Sequence, residues 1–542
     1  MTQLSILYNA HLITQDKKYP KATALAILGE KIIEVGDTQQ LLEKYHFSPF
    51  KVEGIDLKGK TVLPGLTDAH LHLQHYSLSL HKVNCETDTK EMCLTRVAER
   101  TKDLPAGEWI LGHGWNQNQW QSGFGDATDL DHVAPHHPVY LTAKSLHAAW
   151  ANSLALQKAG IHNHTPDPPG GSIVRRSDGS PSGILLESAM QLVEECIPPP
   201  SLHQLKQAIR TAQASLLQIG ITCIHDFDGK ECFTALQELH QDGLLTLRVI
   251  KNLPAELMEE AIALGLRSGF GDDRLRLGSL KFFADGALGP RTAAMFEPYL
   301  GEPNNCGNLL LDSETLTERG RQAIQNGWSL AVHAIGDRAN HEVLNAFQNL
   351  RRLERDEFPS TPPKLRHRIE HVQVIHPRDR HRLAELDLIA SMQPFHAISD
   401  MEMAERYWGQ QRNRYAYAWR TQLDHGTVLA FGSDAPVELP NPFWGLHAAV
   451  TRQRADGSPS EQGWIPEEKL TLTEALRAYT LGAAYAAGME NRLGKLSPAY
   501  YADLIVLDHD PFEVSPEELK DLLPLATMIN GQWAWSMQNA GI

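Results

Sequence analysis

The stretch TVLPGLTDAHLHL, residues 61–73, decides how the chain is read. An apolar run meets the turn-forming pair Pro64-Gly65, and His70 and His72 follow two residues apart. On a β-strand, residues i and i+2 share a face, so both imidazoles point to one side with Asp68 beneath them. Ala69 and Leu71 then face the other way. Two neutral imidazoles side by side suit a cation, although a pair of surface histidines has the same spacing. The rest of the chain has to decide.

From residue 66 onward, short β-like runs alternate with amphipathic stretches. The strand candidates are 66–72, 221–227, 246–253, 276–286, 329–337, 366–374, 388–397 and 427–437. Helical candidates between them include 201–220, 232–243 and 312–327, with Asp312 as an N-cap and Gly220, Gly243 and Gly327 as natural stops. Eight strands with little polar alternation imply a parallel sheet covered on both faces. That repeat number favours an α/β fold closed as a (β/α)8 TIM barrel over an open doubly wound sheet. No Gly-x-Gly-x-x-Gly follows the first strand, which removes the main reason to expect a dinucleotide fold.

Two regions depart from the repeat. Residues 75–200 are far too long for a βα connection and are expected to form an inserted lid or substrate subdomain at the C-terminal mouth of the barrel. The chain ends, 1–60 and 490–542, read as strands and tight turns too small to bury a core alone. They are expected to pair into one composite β-sandwich beside a barrel spanning 61–489.

The chain has 542 residues, with 50 Lys and Arg against 66 Asp and Glu, a net charge of −16. An acidic balance argues against nucleic acid and anionic membranes as partners. No apolar run approaches the ~20 residues of a membrane span. The first residues lack the pattern of a secretory signal, and the six cysteines are scattered without a Cys-x-x-Cys. A cytoplasmic protein acting on a small molecule is the expectation; oligomeric state, including a homo-oligomer, is left open.

In a barrel of this kind functional groups sit at the C-terminal ends of strands. Those ends supply His70 and His72 on the first strand, Lys281 on the fourth, His333 on the fifth, His371 on the sixth and Asp434 on the eighth. Four imidazoles, a carboxylate and a lysine are costly to desolvate together, but around metal they make chemical sense, with zinc the natural choice for this donor set.

In that order these residues resemble the amidohydrolase superfamily with a binuclear metal centre. The local wording is similar to its YtcJ-like branch, amidohydrolase family 3, which includes N-substituted formamide deformylase. The matching stretches are LPGLTDAHLHL, GHGWNQNQW, KFFADGALGPRTA, AVHAIGDRAN, RIEH, FGSDAPV and ADLIVLD, spread over residues ~60–508. The resemblance implies two divalent metal ions, with His70, His72 and Asp434 on the more buried one and His333 and His371 on the other. It also implies that Lys281 is converted by carbon dioxide to a carbamate spanning both. A metal-bridging hydroxide would then attack an amide-like carbonyl of an N-acyl or N-formyl amine, with Asp434 as catalytic base and then acid.

Other residues have both functional and structural readings. Asp68 is read as orienting a ligand histidine from behind. His113, Trp115 and Asn116 are candidates for the substrate pocket or for packing of the insertion. Asp285 and Arg291 are candidates for substrate contact, Arg291 as a carboxylate clamp or as one half of an interloop salt bridge. Gln393 and His396, read on the seventh strand, face the same mouth. A mononuclear deaminase is the first alternative, but it calls for a Glu shortly after His333, where HAIGD offers Asp337, and Lys281 counts against it. A lactone or ester hydrolase uses the same nucleophile. A non-catalytic relative would be expected to have lost ligands.

Overall fold

The computed structural model describes residues 3–116, 120, 123–144, 148–357 and 364–538. Eight parallel strands form one sheet in sequential order: β1 Leu66–Leu71, β2 Ile221–Asp226, β3 Arg248–Pro254, β4 Leu275–Phe283, β5 Ser329–Ala334, β6 Arg368–His371, β7 Ile389–Met392 and β8 Val428–Phe431. β1, β2, β6 and β7 are buried along their whole length. This explains their lack of alternation, since both faces of such a sheet are covered. The expected helices form as Leu202–Gln218, Lys230–Gln241 and Ser313–Gln325. Asp312 caps the last through Thr315 N–H at 2.8 Å, and Gly220, Gly243 and Gly327 take the positive φ of helix stops.

The sheet is nearly closed. No regular ladder joins β1 to β8, yet the chain just beyond β8 is tied to β1 by its backbone. Asp434 N–H donates to His70 O at 2.7 Å and His72 N–H donates to Ala435 O at 3.0 Å. Asp68 completes this seam, its Oδ1 accepting from Ser433 N–H at 3.0 Å and its Oδ2 from Ser433 Oγ–H at 2.5 Å. Close approach at the seam needs Gly432: a Cβ there would stand 2.4 Å from His70 N and 2.7 Å from Asp68 Oδ1.

Most strands end a few residues before the limits read from the sequence, and two of these differences bear on the site. β7 stops at Met392 because Pro394, which has no N–H for a ladder, opens the helix Pro394–Tyr407. His396 therefore stands on the first turn of that helix, not on a strand. β8 stops at Phe431, leaving Asp434 in a loop at φ +61°.

Both chain ends carry sheets. One has the order Lys31–Gly36, Ala24–Leu28, Leu4–Tyr8, Val52–Asp56; the other runs His11–Leu12, Thr61–Pro64, Leu504–Leu507, Pro524–Ile529, Gln532–Ser536. Leu7, Leu25 and Ile27 from the first share an apolar core with Val62, Leu504, Val506 and Met528 from the second. By contact density the chain divides into two compact units, residues 1–76 with 209–542, and residues 77–208. The second unit has its own six-stranded sheet, ordered Gly171–Arg175, Pro181–Glu187, Ala148–Ala151, Val139–Ala143, Ile110–Trp115, Val83–Asn84. Residues 117–119 of the GHGWNQNQW motif and residues 145–147 lie outside the described residues.

Adding one methyl group at the seam should be felt by the whole barrel. Gly432→Ala is expected to lower stability by about 1–3 kcal/mol in urea unfolding, because neither His70 N nor Asp68 can retreat without breaking a hydrogen bond. An unchanged midpoint would show that the seam is not under this constraint.

Candidate metal centre

The barrel brings together the side chains expected at its strand ends. His70 Nε2 lies 3.5 Å from Asp434 Oδ1, and His72 Nε2 lies 3.3 Å from the same oxygen. One ligand atom each from His70, His371 and Asp434 fall within 4.8 Å of one another. The His371 ring centroid is 4.9 Å from that of His70 and 4.6 Å from that of His333. Lys281 is 4% exposed, and its Nζ lies 4.8 Å from the Phe227 ring centroid and 4.9 Å from that of Phe283. Among the described residues no carboxylate comes within ion-pair distance of Nζ.

Each imidazole has one nitrogen already taken. His70 Nδ1 meets Glu370 Oε2 at 2.6 Å, and His72 Nδ1 meets Asp228 Oδ1 at 3.2 Å. His333 Nε2 meets Gly286 O at 2.9 Å, and His371 Nδ1 meets Gln393 Oε1 at 2.8 Å. All four partners are acceptors, so each engaged nitrogen carries a proton and the other is the one a metal would take. This is how proteins orient metal-binding histidines. Asp434 Oδ1 is buried and makes no aligned hydrogen bond.

These observations test the fit of a metal. For ligand bonds of about 2.0–2.1 Å, the edge of a coordination tetrahedron is roughly 3.3–3.4 Å. The separations of 3.3 and 3.5 Å between Asp434 Oδ1 and the two imidazole nitrogens match that edge. A neutral-imidazole and carboxylate donor set of this spacing fits zinc or a similar divalent cation.

The electrostatics agree. Burial, reinforced by the nearby Lys281 charge, pulls His70 down to about 4 and His333 down to about 3, so both are neutral at pH 7. Burial and the neighbouring His333 drive His371 well below its usual range. Burial also lowers Lys281 to about 8, partly opposed by Glu370 and Asp434. His72 goes the other way: burial would lower it, but the hydrogen bond to Asp228 and the nearby Asp434 carboxylate prevail and raise it to about 9. In the metal-free chain His72 therefore holds a proton at neutral pH, and a cation must displace it. His371 and Asp434 both have positive φ, +74° and +61°, strain of a kind that concentrates at functional sites.

Several expected contacts turn out differently. Asp68 touches no imidazole ring; it accepts from His70 N–H at 3.1 Å and from Ser433, and so positions backbone. Asp285 is consumed by the N–H groups of Ala294, Ile335 and Gly336 at 2.8–3.0 Å, which fix the loops after β4 and β5. Its Oδ1 lies 3.6 Å from His333 Nε2. Arg291 forms the interloop alternative, pairing with Glu302 at 2.5 Å, and so offers no free carboxylate clamp. Trp115 is fully buried in the 77–208 unit with its Nε1–H on Leu141 O at 2.8 Å, which makes it core packing. His113 is exposed on the same strand and bonds Thr142 Oγ1 at 2.9 Å, and Asn116 directly follows that strand. Gln393 bonds His371, and His396 Nε2 lies 4.0 Å from Asp434 Oδ2. Asp337 accepts Phe296 N–H at 2.9 Å, which ties it to structure and gives no support to the deaminase alternative.

The residues that hold the rings escaped the sequence reading. Glu370 and Arg368 alternate on β6, where a fully buried strand should be apolar; their charge was the signal. Arg368 pairs with Glu370 and donates to Ala69 O at 2.7 Å. Asp228 follows β2 in HDFDG, and besides His72 it binds His75 Nδ1 at 2.6 Å and Gln74 N–H at 2.5 Å.

Residues 53–534 match the model of the amidohydrolase family, and the chain belongs to that family. It is therefore a metal-dependent amidohydrolase. It is 34% identical to the Bacillus subtilis protein YtcJ, covering 97% of this chain and 98% of that one. It is 28% identical to N-substituted formamide deformylase of Arthrobacter pascens, covering 98% of each. Among solved structures, an uncharacterized metal-dependent hydrolase from Pyrococcus furiosus has a TM-score of 0.77 at 29% identity, over 94% of this chain and 100% of that one.

If ring orientation sets metal affinity, Glu370→Gln should weaken zinc binding by about 10–100-fold in chelator competition, with folding retained. An unchanged affinity would remove Glu370 from the site. Because His72 titrates near 9, apparent zinc affinity should rise by up to about tenfold per pH unit between pH 7 and pH 9 and then level off. A flat profile over that window would contradict the proton displacement.

Proposed function

We propose that the protein is a binuclear, zinc-loaded hydrolase of an amide-like C–N bond in a small molecule, of the N-acyl or N-formyl amine class. The observation that carries this reading is the set of four buried or half-buried imidazoles, each with its second nitrogen occupied, around an Asp434 oxygen that lacks a hydrogen bond. His70, His72 and Asp434 would hold one cation, His333 and His371 the other. Lys281, buried and with no carboxylate at ion-pair distance among the described residues, would join them. Its neutral amine adds to carbon dioxide and releases a proton, giving an anionic carbamate with two oxygens to offer. When bound, the two cations supply Lewis acidity and bring the pKa of water from about 15.7 toward ~7.

The chain's own groups manage the proton. Asp434 takes it from the attacking water at a carboxylate oxygen and returns it to the departing amine nitrogen, which lets that nitrogen leave neutral. Asp228, Glu370, Gly286 O and Gln393 keep the rings in one tautomer throughout. The resemblance to N-substituted formamide deformylase supports an acyl group as small as formyl. The six cysteines, all free, suit a reducing compartment, and we place the protein in the cytoplasm.

The test is a hydrolysis screen of the zinc-loaded protein against N-formyl amines, N-acyl amino acids, carbamates and lactones. Turnover of an N-formyl or N-acyl amine, reduced about 10²–10⁴-fold by Asp434→Asn, is the expected result. Metal analysis should find two equivalents in the parent chain and a sharp drop in Lys281→Ala. Unchanged metal content in that variant would argue against the carbamate, and activity confined to lactones would overturn the C–N assignment.

A further inference from the structure

Two donors beside Asp434 have nothing to donate to. His396 is 5% exposed and Gln393 is 2% exposed, and the Nε2 atom of each is buried without a hydrogen-bond partner. Leaving such groups unpaired costs about 1–3 kcal/mol each, so two of them at one helix entrance are informative. His396 Nε2 lies 4.0 Å from Asp434 Oδ2, too far for a hydrogen bond. Its ring lies nearly parallel to that of His371, with an interplanar angle of 13° and centroids 6.2 Å apart.

Their neighbours fix what both atoms present. Gln373 Nε2 sits 3.4 Å from His396 Nδ1, and an amide N–H can only donate. Nδ1 is then the acceptor, which puts the ring N–H on Nε2. Gln393 Oε1 accepts from His371 Nδ1 at 2.8 Å, which leaves the amide's N–H groups unengaged. Two unengaged donors therefore stand beside the Asp434 carboxylate, and an oxygen acceptor would satisfy both.

We propose that His396 Nε2–H and Gln393 Nε2–H form the donor pair for the carbonyl oxygen of the substrate, and for the negative charge that grows on that oxygen as the carbon becomes tetrahedral. This rests on the hydrolase reading above and deepens it by assigning the acyl oxygen to the β7 side of the site. Pro394 supports the arrangement. By ending β7 and opening the helix it turns His396 back toward Asp434, and as the first residue of the helix it has no N–H to leave unpaired.

The experiment uses the full zinc-loaded chain and methylphosphonate as a tetrahedral oxyanion probe, with binding followed by calorimetry. His396→Ala is expected to bind it ~100-fold more weakly than the parent, the size of effect seen when one oxyanion donor is removed. Zinc content and melting temperature should be unchanged. His396→Gln, whose amide can place an N–H near the same point, should recover at least about tenfold of the loss. On any amide substrate found, His396→Ala should lower kcat and leave KM within about threefold. The proposal is overturned if the parent fails to bind methylphosphonate, if His396→Ala binds it equally well, or if that variant loses its zinc. If the parent binds the probe through His396 but hydrolyses nothing in the panel, the hydrolase reading fails while the donor pair stands.

Discussion

The seam between the first and last barrel strands is the constraint on which the rest of the site depends. His70 and His72 lie on one side of it and Asp434 on the other, and they converge only because the two chain segments are hydrogen-bonded past the ends of their strands. Asp68 holds both sides of the seam, accepting from His70 N–H and from Ser433. Burial raises its pKa to about 7 against the hydrogen bonds from Ser433 and His70 that favour the anion. An isolated carboxylate so deep would be costly; with three donors around it, it fastens the two ends of the barrel together.

A second tension lies among the bases. Imidazoles packed this closely, with a buried amine beside them, cannot all be cationic, and burial settles the matter by discharging His70, His333 and His371. The acids are kept ionised by partners from elsewhere in the barrel. Glu370 stays charged despite full burial because Arg368 pairs with it and His70 bonds it. Arg368 also reaches His225 Nδ1 at 2.8 Å, so one interior guanidinium links β1, β2 and β6 beneath the ligands. Apart from His72, which keeps a proton until a cation displaces it, the outcome is a floor of neutral imidazoles and ionised acids, the protonation state that metal binding needs.

Much of this could be read before folding. The eight strands, their order and the placement of His70, His72, Lys281, His333 and His371 at strand ends follow from apolar runs interrupted by chemistry-bearing residues. Limits were harder to see. Pro394 moved Gln393 and His396 from a strand to a helix entrance, and Asp434 sits in a loop with positive φ that no periodicity announces. Arg291 illustrates a further limit, because its partner Glu302 is close in sequence yet only the folded loop brings the two charges into contact. Trp115 looked like a pocket residue for its company of polar neighbours, and its indole is wholly inside the 77–208 unit.

The sequence by itself determined the elements, their alternation and the kinds of ligand at their ends, because strand and helix periodicity and donor chemistry are local properties. Which nitrogen of each histidine is left free was decided only by the tertiary structure. That choice depends on acceptors such as Glu370, 300 residues from His70, and Asp228, 156 residues from His72. A hydrogen bond of 2.6–3.2 Å between such distant groups is a matter of side-chain direction in the closed barrel, and no spacing along the chain encodes it.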